Sequence, residues 1–124
     1  MADNLYTSLK TVFHEPNRLA IVKALAVAPK GLAFLELRDG CSLTNGNLSR
    51  HLRVLEDAGA VRIKKSFVGR TPHTQVTLTD KGRRECLDYL GALEDALNEL
   101  ATAMATTEKT ADEGDLPLAA GALT

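Results

Sequence analysis

Leu43-Thr44-Asn45-Gly46-Asn47-Leu48-Ser49-Arg50-His51-Leu52-Arg53-Val54-Leu55-Glu56-Asp57-Ala58-Gly59 is the stretch on which the fold turns. Leu48, Leu52 and Leu55 fall on one narrow stripe at the helical period, so that side of a helix faces a core. Thr44 stands where a helix is capped, and Leu43 and Leu48 where a hydrophobic staple fixes the entry of the chain. Gly59 supplies the left-handed residue that ends the helix. The opposite side carries Gly46, Arg50, Arg53 and Asp57, flanked by Asn45, Asn47 and Ser49. Arg and Asn make paired hydrogen bonds to guanine and adenine edges, while Ser, Thr and Arg hold phosphates. Gly46 removes bulk on that face where a backbone must come close. The residues from about 44 to 58 read as a DNA recognition helix.

Upstream, Phe34-Leu35-Glu36-Leu37-Arg38-Asp39 is a short helix closed by Gly40, and Cys41-Ser42-Leu43 turns from it into the recognition helix. Two helices joined so tightly make a helix-turn-helix. Before them, Pro16 suits the first position of another helix, whose buried face is Leu19, Val22 and Leu25 with Ile21 beside them. Pro29-Lys30-Gly31 stops it. Leu5, Leu9, Val12 and Phe13 recur at helical spacing and suggest a first helix at about 4–13.

Downstream the period changes to two. Val61, Ile63 and Phe67 alternate with Arg62, Lys64 and Ser66, although Lys65 breaks the apolar side. Thr74, Val76 and Leu78 alternate with Gln75 and Thr77. These are the strands of a hairpin over about 61–78, turning through Val68-Gly69-Arg70-Thr71-Pro72. A hairpin directly after a helix-turn-helix is a wing. A last helix then starts near Asp80, capped by Thr79 or Asp80, and runs to about residue 105. Cys86, Leu90, Leu93, Leu97, Leu100 and Met104 form an a/d seam along it, longer than one small domain needs to cover itself. That length favours a dimer interface, with Leu5, Leu9 and Val12 adding a complementary stripe. The chain is therefore expected to be mainly α with a small β-hairpin: a winged helix-turn-helix domain over 1–105 with a long C-terminal dimerisation helix. Residues 106–124 lack periodicity and read as a disordered acidic tail.

With 44% apolar and 25% charged residues in 124, the composition is that of one ordinary globular domain. No run approaches the ~18 apolar residues of a membrane span. The start Met-Ala-Asp-Asn-Leu has neither the basic beginning nor the apolar core of a signal peptide, so a cytoplasmic protein without a membrane partner is expected. The net charge of −1 hides an asymmetry: residues 1–84 hold 14 Lys and Arg against 7 Asp and Glu, and residues 85–124 hold 1 against 9. A basic body with an acidic end suits a polyanionic partner, and a near-neutral sum does not argue against one.

The element order, Leu43-Thr44-x-Gly46-Asn47-Leu48-Ser49-Arg50-His51-Leu52 and Phe67-Val68-Gly69-Arg70-x-Pro72 resemble the bacterial and archaeal winged-helix transcriptional regulators, between the MarR and ArsR types. The resemblance covers residues of about 5–100. It implies a homodimer joined through its first and last helices, with two recognition helices in successive major grooves of a palindromic double-stranded site. Carried over by position, it places Asn45, Asn47, Ser49, Arg50 and Arg53 against DNA and Arg70 at the wing tip. The chain departs from the metal-sensing regulators: it has no Cys-x-Cys before the recognition helix and no His pair in the last helix.

Set against plain surface chemistry, the DNA-facing set is Thr44, Asn45, Gly46, Asn47, Ser49, Arg50, Arg53, Lys64, Lys65, Arg70, Thr71 and His73. Between residues 44 and 73, Arg50, Arg53, Arg62, Lys64, Lys65 and Arg70 face only Glu56 and Asp57, a patch whose binding would fall steeply with salt. The dimer set is Leu5, Leu9, Val12, Leu90, Leu93, Leu97, Leu100 and Met104. His14, His51, His73, Cys41 and Cys86 have no ligand spacing, so no metal site and no cofactor are expected. No Ser/His/Asp set or phosphate loop points to an enzyme. The function read from these features is a sequence-specific, homodimeric transcriptional regulator, a repressor that occupies its site. A small-molecule effector would have its place in a cleft between the DNA-binding core and the dimer helices. The competing reading is a winged-helix protein-interaction module that never touches DNA, which would not need the basic recognition face.

Overall fold

The computed structural model describes residues 9–114, with side chains placed to Glu108. In chain order the elements are α1 (Pro16–Ala26), β1 (Leu32–Ala33), α2 (Phe34–Gly40), α3 (Asn45–Asp57), β2 (Val61–Val68), β3 (Thr71–Leu78) and α4 (Asp80–Gly114). They divide into a compact unit that ends at Tyr89 and a second unit that begins at Leu90.

The first unit is built around the leucine stripe. Leu48, Leu52 and Leu55 of α3 are buried together with Ile21, Val22 and Leu25 of α1 and Leu37 of α2. Phe13, Ala60, Val61, Val76, Cys86 and Tyr89 complete the core. Pro16 is the first residue of α1, where its missing N–H leaves nothing unsatisfied. The side chain of Glu15 caps that helix, accepting the Arg18 N–H at 2.8 Å. Burial pushes the Glu15 carboxyl up, but the hydrogen bonds from Arg18 and Asn17 and the charges of His51 and Arg18 outweigh it. They hold the group below its ordinary value of 4.5.

The sheet has three strands in the order β1-β3-β2, all antiparallel, where the sequence led us to expect a hairpin alone. The extra strand is two residues long, Leu32 opposite Val76 and Ala33 opposite Gln75. Gly31 lets the chain into that pairing with φ +84°, and a Cβ there would run into the Val76 carbonyl oxygen. The hairpin spans the expected residues, but its turn is tighter and its strands are longer. Val68 pairs with Thr71, so only Gly69 and Arg70 turn, and Thr71 and Pro72 belong to β3. Gly69 has φ +66° and Arg70 does not share it, the pattern of a type II′ turn.

The first helix needs correction. Residues 1–8, and with them Leu5, lie outside the described residues; Leu9 is helical, but residues 10–15, Val12 among them, form an irregular turn. Thr11 is the cause: its hydroxyl accepts the Phe13 N–H at 3.2 Å and its carbonyl the His14 N–H at 3.1 Å, which offers the backbone an alternative to helix. Pro16 then keeps Glu15 extended, at φ −151° and ψ 123°.

Thr79 joins the wing to α4. Its Oγ1 donates to the Gly59 carbonyl at 2.6 Å and accepts the Gly82 N–H at 2.9 Å, so one hydroxyl caps α4 and ties it to the end of α3. Gly82 packs directly on the Ala60 backbone, where a Cβ would collide with the Ala60 carbonyl oxygen. Within the first unit α4 buries Gly82, Cys86 and Tyr89, so Cys86 belongs to the core and not to the free seam. In the second unit Leu90, Leu97, Leu100 and Met104 are exposed and Leu93 is half-buried. The helix continues to Gly114 and so runs past the expected end near 105. Of the segment read as a tail, 106–114 are thus helical, and 115–124 lie outside the described residues. No described helix is long and apolar enough to cross a membrane.

Candidate nucleic-acid interface

The α3 helix forms as its sequence requires. Thr44 Oγ1 accepts the Asn47 N–H at 3.1 Å and closes the first turn. At the other end Gly59, with φ +77°, takes the left-handed position. Leu48 and Leu55 are completely buried, which uses up the apolar stripe inside the chain's own core. Asn45, Gly46, Asn47, Ser49, Arg50 and Arg53 are all exposed on the remaining faces. Gly46 is open to solvent, since a Cβ there would meet no atom within 4 Å. Packing therefore gives no reason for glycine at a helical position that alanine would favour by about 0.5–1 kcal/mol.

The structure sorts the expected DNA-facing residues into separate groups. Thr44, Asn45, Gly46, Asn47 and Arg50 gather at the start of α3, where the helix also directs its free N–H groups outward. Ser49 and Arg53 share an open groove of about 650 Å³ with Lys65 and Thr74 of the wing, floored by Phe34, Leu52 and Ile63 and carrying one acid, Glu56. Lys64 is turned away from this groove. In the strand register Lys64 stands opposite Gln75 and Ser66 opposite His73, on the face of the hairpin opposite to Lys65. His73 is occupied in a 2.9 Å hydrogen bond with Gln75. Arg70 and Thr71 sit at the exposed tip, beside Phe67 and Val68, which are 71% and 67% exposed. Among the described residues none of Arg50, Arg53, Lys64, Lys65 and Arg70 forms an ion pair, so their field is not neutralised locally.

Two arginines that sequence reasoning passed over organise this surface. Arg18 donates Nε–H to the Val12 carbonyl at 2.6 Å and approaches His51 Nδ1 at 3.4 Å. It thereby joins the turn before α1 to α3, whose His51 is buried to 5% exposure. Arg38 lies near the end of α2 and donates Nη1–H to Asn45 Oδ1 at 2.9 Å across the turn. Asp39 holds the same guanidinium through Nε at 2.8 Å. Ser42 makes the turn possible, in the left-handed region at φ 55°. Serine at that angle carries no glycine signal, and Arg38 and Asn45 are seven residues apart, so neither feature announces itself in the sequence.

The free thiols are not poised for chemistry. Burial pushes the thiol of Cys41 up from its ordinary value and does the same to Cys86, which keeps both protonated near neutrality. Tyr89 is likewise pushed up by burial and by the neighbouring Cys86, and its hydroxyl is hydrogen-bonded to His14 Nδ1 at 2.7 Å. Among the described residues no group of His, Cys, Asp and Glu is arranged to hold a metal ion.

Residues 17–97 match a protein family described as a winged helix DNA-binding domain. An uncharacterised protein of Methanocaldococcus jannaschii is 38% identical over 77 residues, which covers 60% of this chain and 83% of that protein. Among solved structures, a transcriptional regulator homologue from Pyrococcus horikoshii OT3 aligns with a TM-score of 0.68 at 31% identity, over 79% of this chain and 97% of its own. The Mycobacterium tuberculosis transcriptional regulator MosR, solved in complex with DNA, shares the fold with a TM-score of 0.57 at 16% identity, over 92% of this chain and 89% of its own.

Proposed function

Because the chain belongs to the winged helix DNA-binding domain family, whose members are regulators and not enzymes, we propose that it is a sequence-specific homodimeric repressor. In this reading α3 lies in the major groove, Arg50 and Asn47 read bases, and Thr44 and Ser49 hold phosphates. Arg53 and Lys65 follow the backbone along the groove they share, and Arg70 reaches the flanking minor groove or backbone from the wing tip. The observation that carries the proposal is the division of α3 into two faces. Its leucines are consumed by the core, while its donors and its unexplained Gly46 are left outside. The DNA complex of MosR is in keeping with this use of the fold.

The homodimer is supported by the second unit. Leu90, Leu97, Leu100 and Met104 continue at a/d spacing along a helix that leaves them exposed, at 43% to 63%. An exposed seam of that kind is the signature of a helix that pairs with its own copy. Two recognition helices about one DNA turn apart, ~34 Å, would then meet a two-fold symmetric site. Occupying such a site within a promoter excludes polymerase, which is the simplest output of one DNA-binding unit and one pairing helix.

The test is fluorescence anisotropy on a labelled duplex from the gene's own upstream region and on a scrambled duplex, at two salt concentrations. Tight binding that prefers the native duplex and weakens with salt is expected for an autoregulating repressor. Equal binding to both would leave an electrostatic, architectural role. Absence of binding to either at low salt would favour a protein-interaction module instead.

A further inference from the structure

Asparagine on a recognition helix suggests adenine, because one amide matches the N7 acceptor and the N6 donor of that base with its own donor and acceptor. At the start of α3 each of two amide oxygens already accepts one bond from an arginine, and only one acceptor position is left on each. Arg38 donates Nη1–H to Asn45 Oδ1 at 2.9 Å, and the bond from its Nε to Asp39 at 2.8 Å keeps the guanidinium in place. A guanidinium has donors only, so the Asn45 amide must turn its oxygen towards Arg38 and its NH2 away. Asn47 is turned the same way, its Oδ1 accepting from Arg50 Nη2 at 3.3 Å. Thr44 Oγ1 is engaged as the acceptor of the Asn47 N–H at 3.1 Å. Arg50 itself can only donate, as can the unpaired N–H groups of the first helical turn. Beyond these bonds, donors outnumber acceptors at this end of α3.

We infer that the start of α3 reads guanine, and that Arg38 is a positioning residue that sets the base preference of Asn45. This rests on the reading of α3 as the DNA-reading helix and specifies what it recognises. Guanine is the base that places two acceptors, N7 and O6, side by side in the major groove. The two hydrogens of a fixed amide NH2 meet both. Adenine at the same place would set its N6 amino group against the amide NH2, donor against donor.

The experiment selects binding sites from random duplexes with the full chain, and repeats the selection with Asn45→Ala and Arg38→Met. The base pair whose preference Asn45→Ala relaxes is the one Asn45 reads, and a G·C pair is expected there. Replacing that guanine by 7-deazaguanine should weaken binding of the wild-type chain about tenfold. Arg38→Met frees the amide oxygen, and the preference at that pair should move towards A·T. A merely structural role for Arg38 would weaken binding without changing the preferred base. An A·T pair in the wild-type selection, indifference to 7-deazaguanine, or an unchanged preference in folded Arg38→Met would overturn the inference and leave the regulator reading standing. If Arg38→Met does not fold, the wild-type selection and the deaza substitution decide alone. A selection that enriches no sequence would instead overturn the regulator reading itself.

Discussion

Two helices in this chain carry leucines at nearly the same spacing and use them in opposite ways. On α3, Leu48, Leu52 and Leu55 are buried, and the other faces bear asparagine, serine and arginine. On α4 beyond Tyr89, Leu90, Leu97, Leu100 and Met104 stay exposed, and the other faces bear Glu94, Asp95 and Glu99. Periodicity alone says that a helix has an apolar side. Where that side goes, and the charge opposite it, tells which face is left to act. In α3 the free face is polar and basic and suits a polyanion; in α4 the free face is the seam itself, and its acids suit solvent.

The comparison can be broken at both stripes. Replacing Leu97 and Leu100 together by Glu should leave the first unit folded and convert a dimer to a monomer in sedimentation. DNA affinity should then fall by ~100-fold, since each half-site must be bound without its linked partner. Leu55→Ala should do the reverse and lower unfolding free energy by about 2–5 kcal/mol, read by denaturant titration, because it leaves a cavity in a fully buried site. Arg50→Ala comes next. It should lower specific affinity by about 1–3 kcal/mol and relax the preference at one base pair, with the denaturation midpoint unmoved.

These residues were open to prediction because their signals are local. The stripe of α3, its Thr44 cap, its Gly59 stop and the alternation of β2 and β3 each need only a few neighbouring residues to be read. Part of what escaped depends on contacts across the chain. β1 exists because Gly31 brings Leu32 and Ala33 against β3, more than 40 residues away in sequence. The expected first helix gave way at Thr11, whose hydroxyl competes for the backbone. The overrun of α4 past 105 includes Glu108, Lys109, Ala111 and Glu113, which favour helix even where no apolar stripe remains. Of the candidate site, every residue proposed on α3 is exposed as expected. The alternation put Lys64 and Lys65 on opposite faces, but that Lys65 shares a groove with Arg53 and that Arg38 holds Asn45 emerge only in the fold.

Smaller effects sharpen the same contrast. Thr44→Ala should lower stability by about 1 kcal/mol through loss of the α3 cap, read as a shift of the thermal midpoint. Glu15 caps α1 as a carboxylate held below its ordinary value. A depressed value means that its contribution is fully present above 4.5 and is lost as pH falls through the folded value. Glu15→Gln should therefore flatten the acid limb of the stability profile slightly and leave the profile above pH 6 unchanged in shape, as followed by denaturation across pH.

The most direct test of the division of α3 into a folding face and a binding face is Gly46→Ala, measured twice on the same preparation. Nothing in the fold occupies the space beside Gly46, and alanine is the better helix former by about 0.5–1 kcal/mol. The account predicts a higher unfolding midpoint together with weaker binding to the selected duplex, because the added methyl enters the space reserved for DNA. Unchanged or tighter DNA binding in the stabilised variant would contradict it and would move the DNA-facing surface off the start of α3.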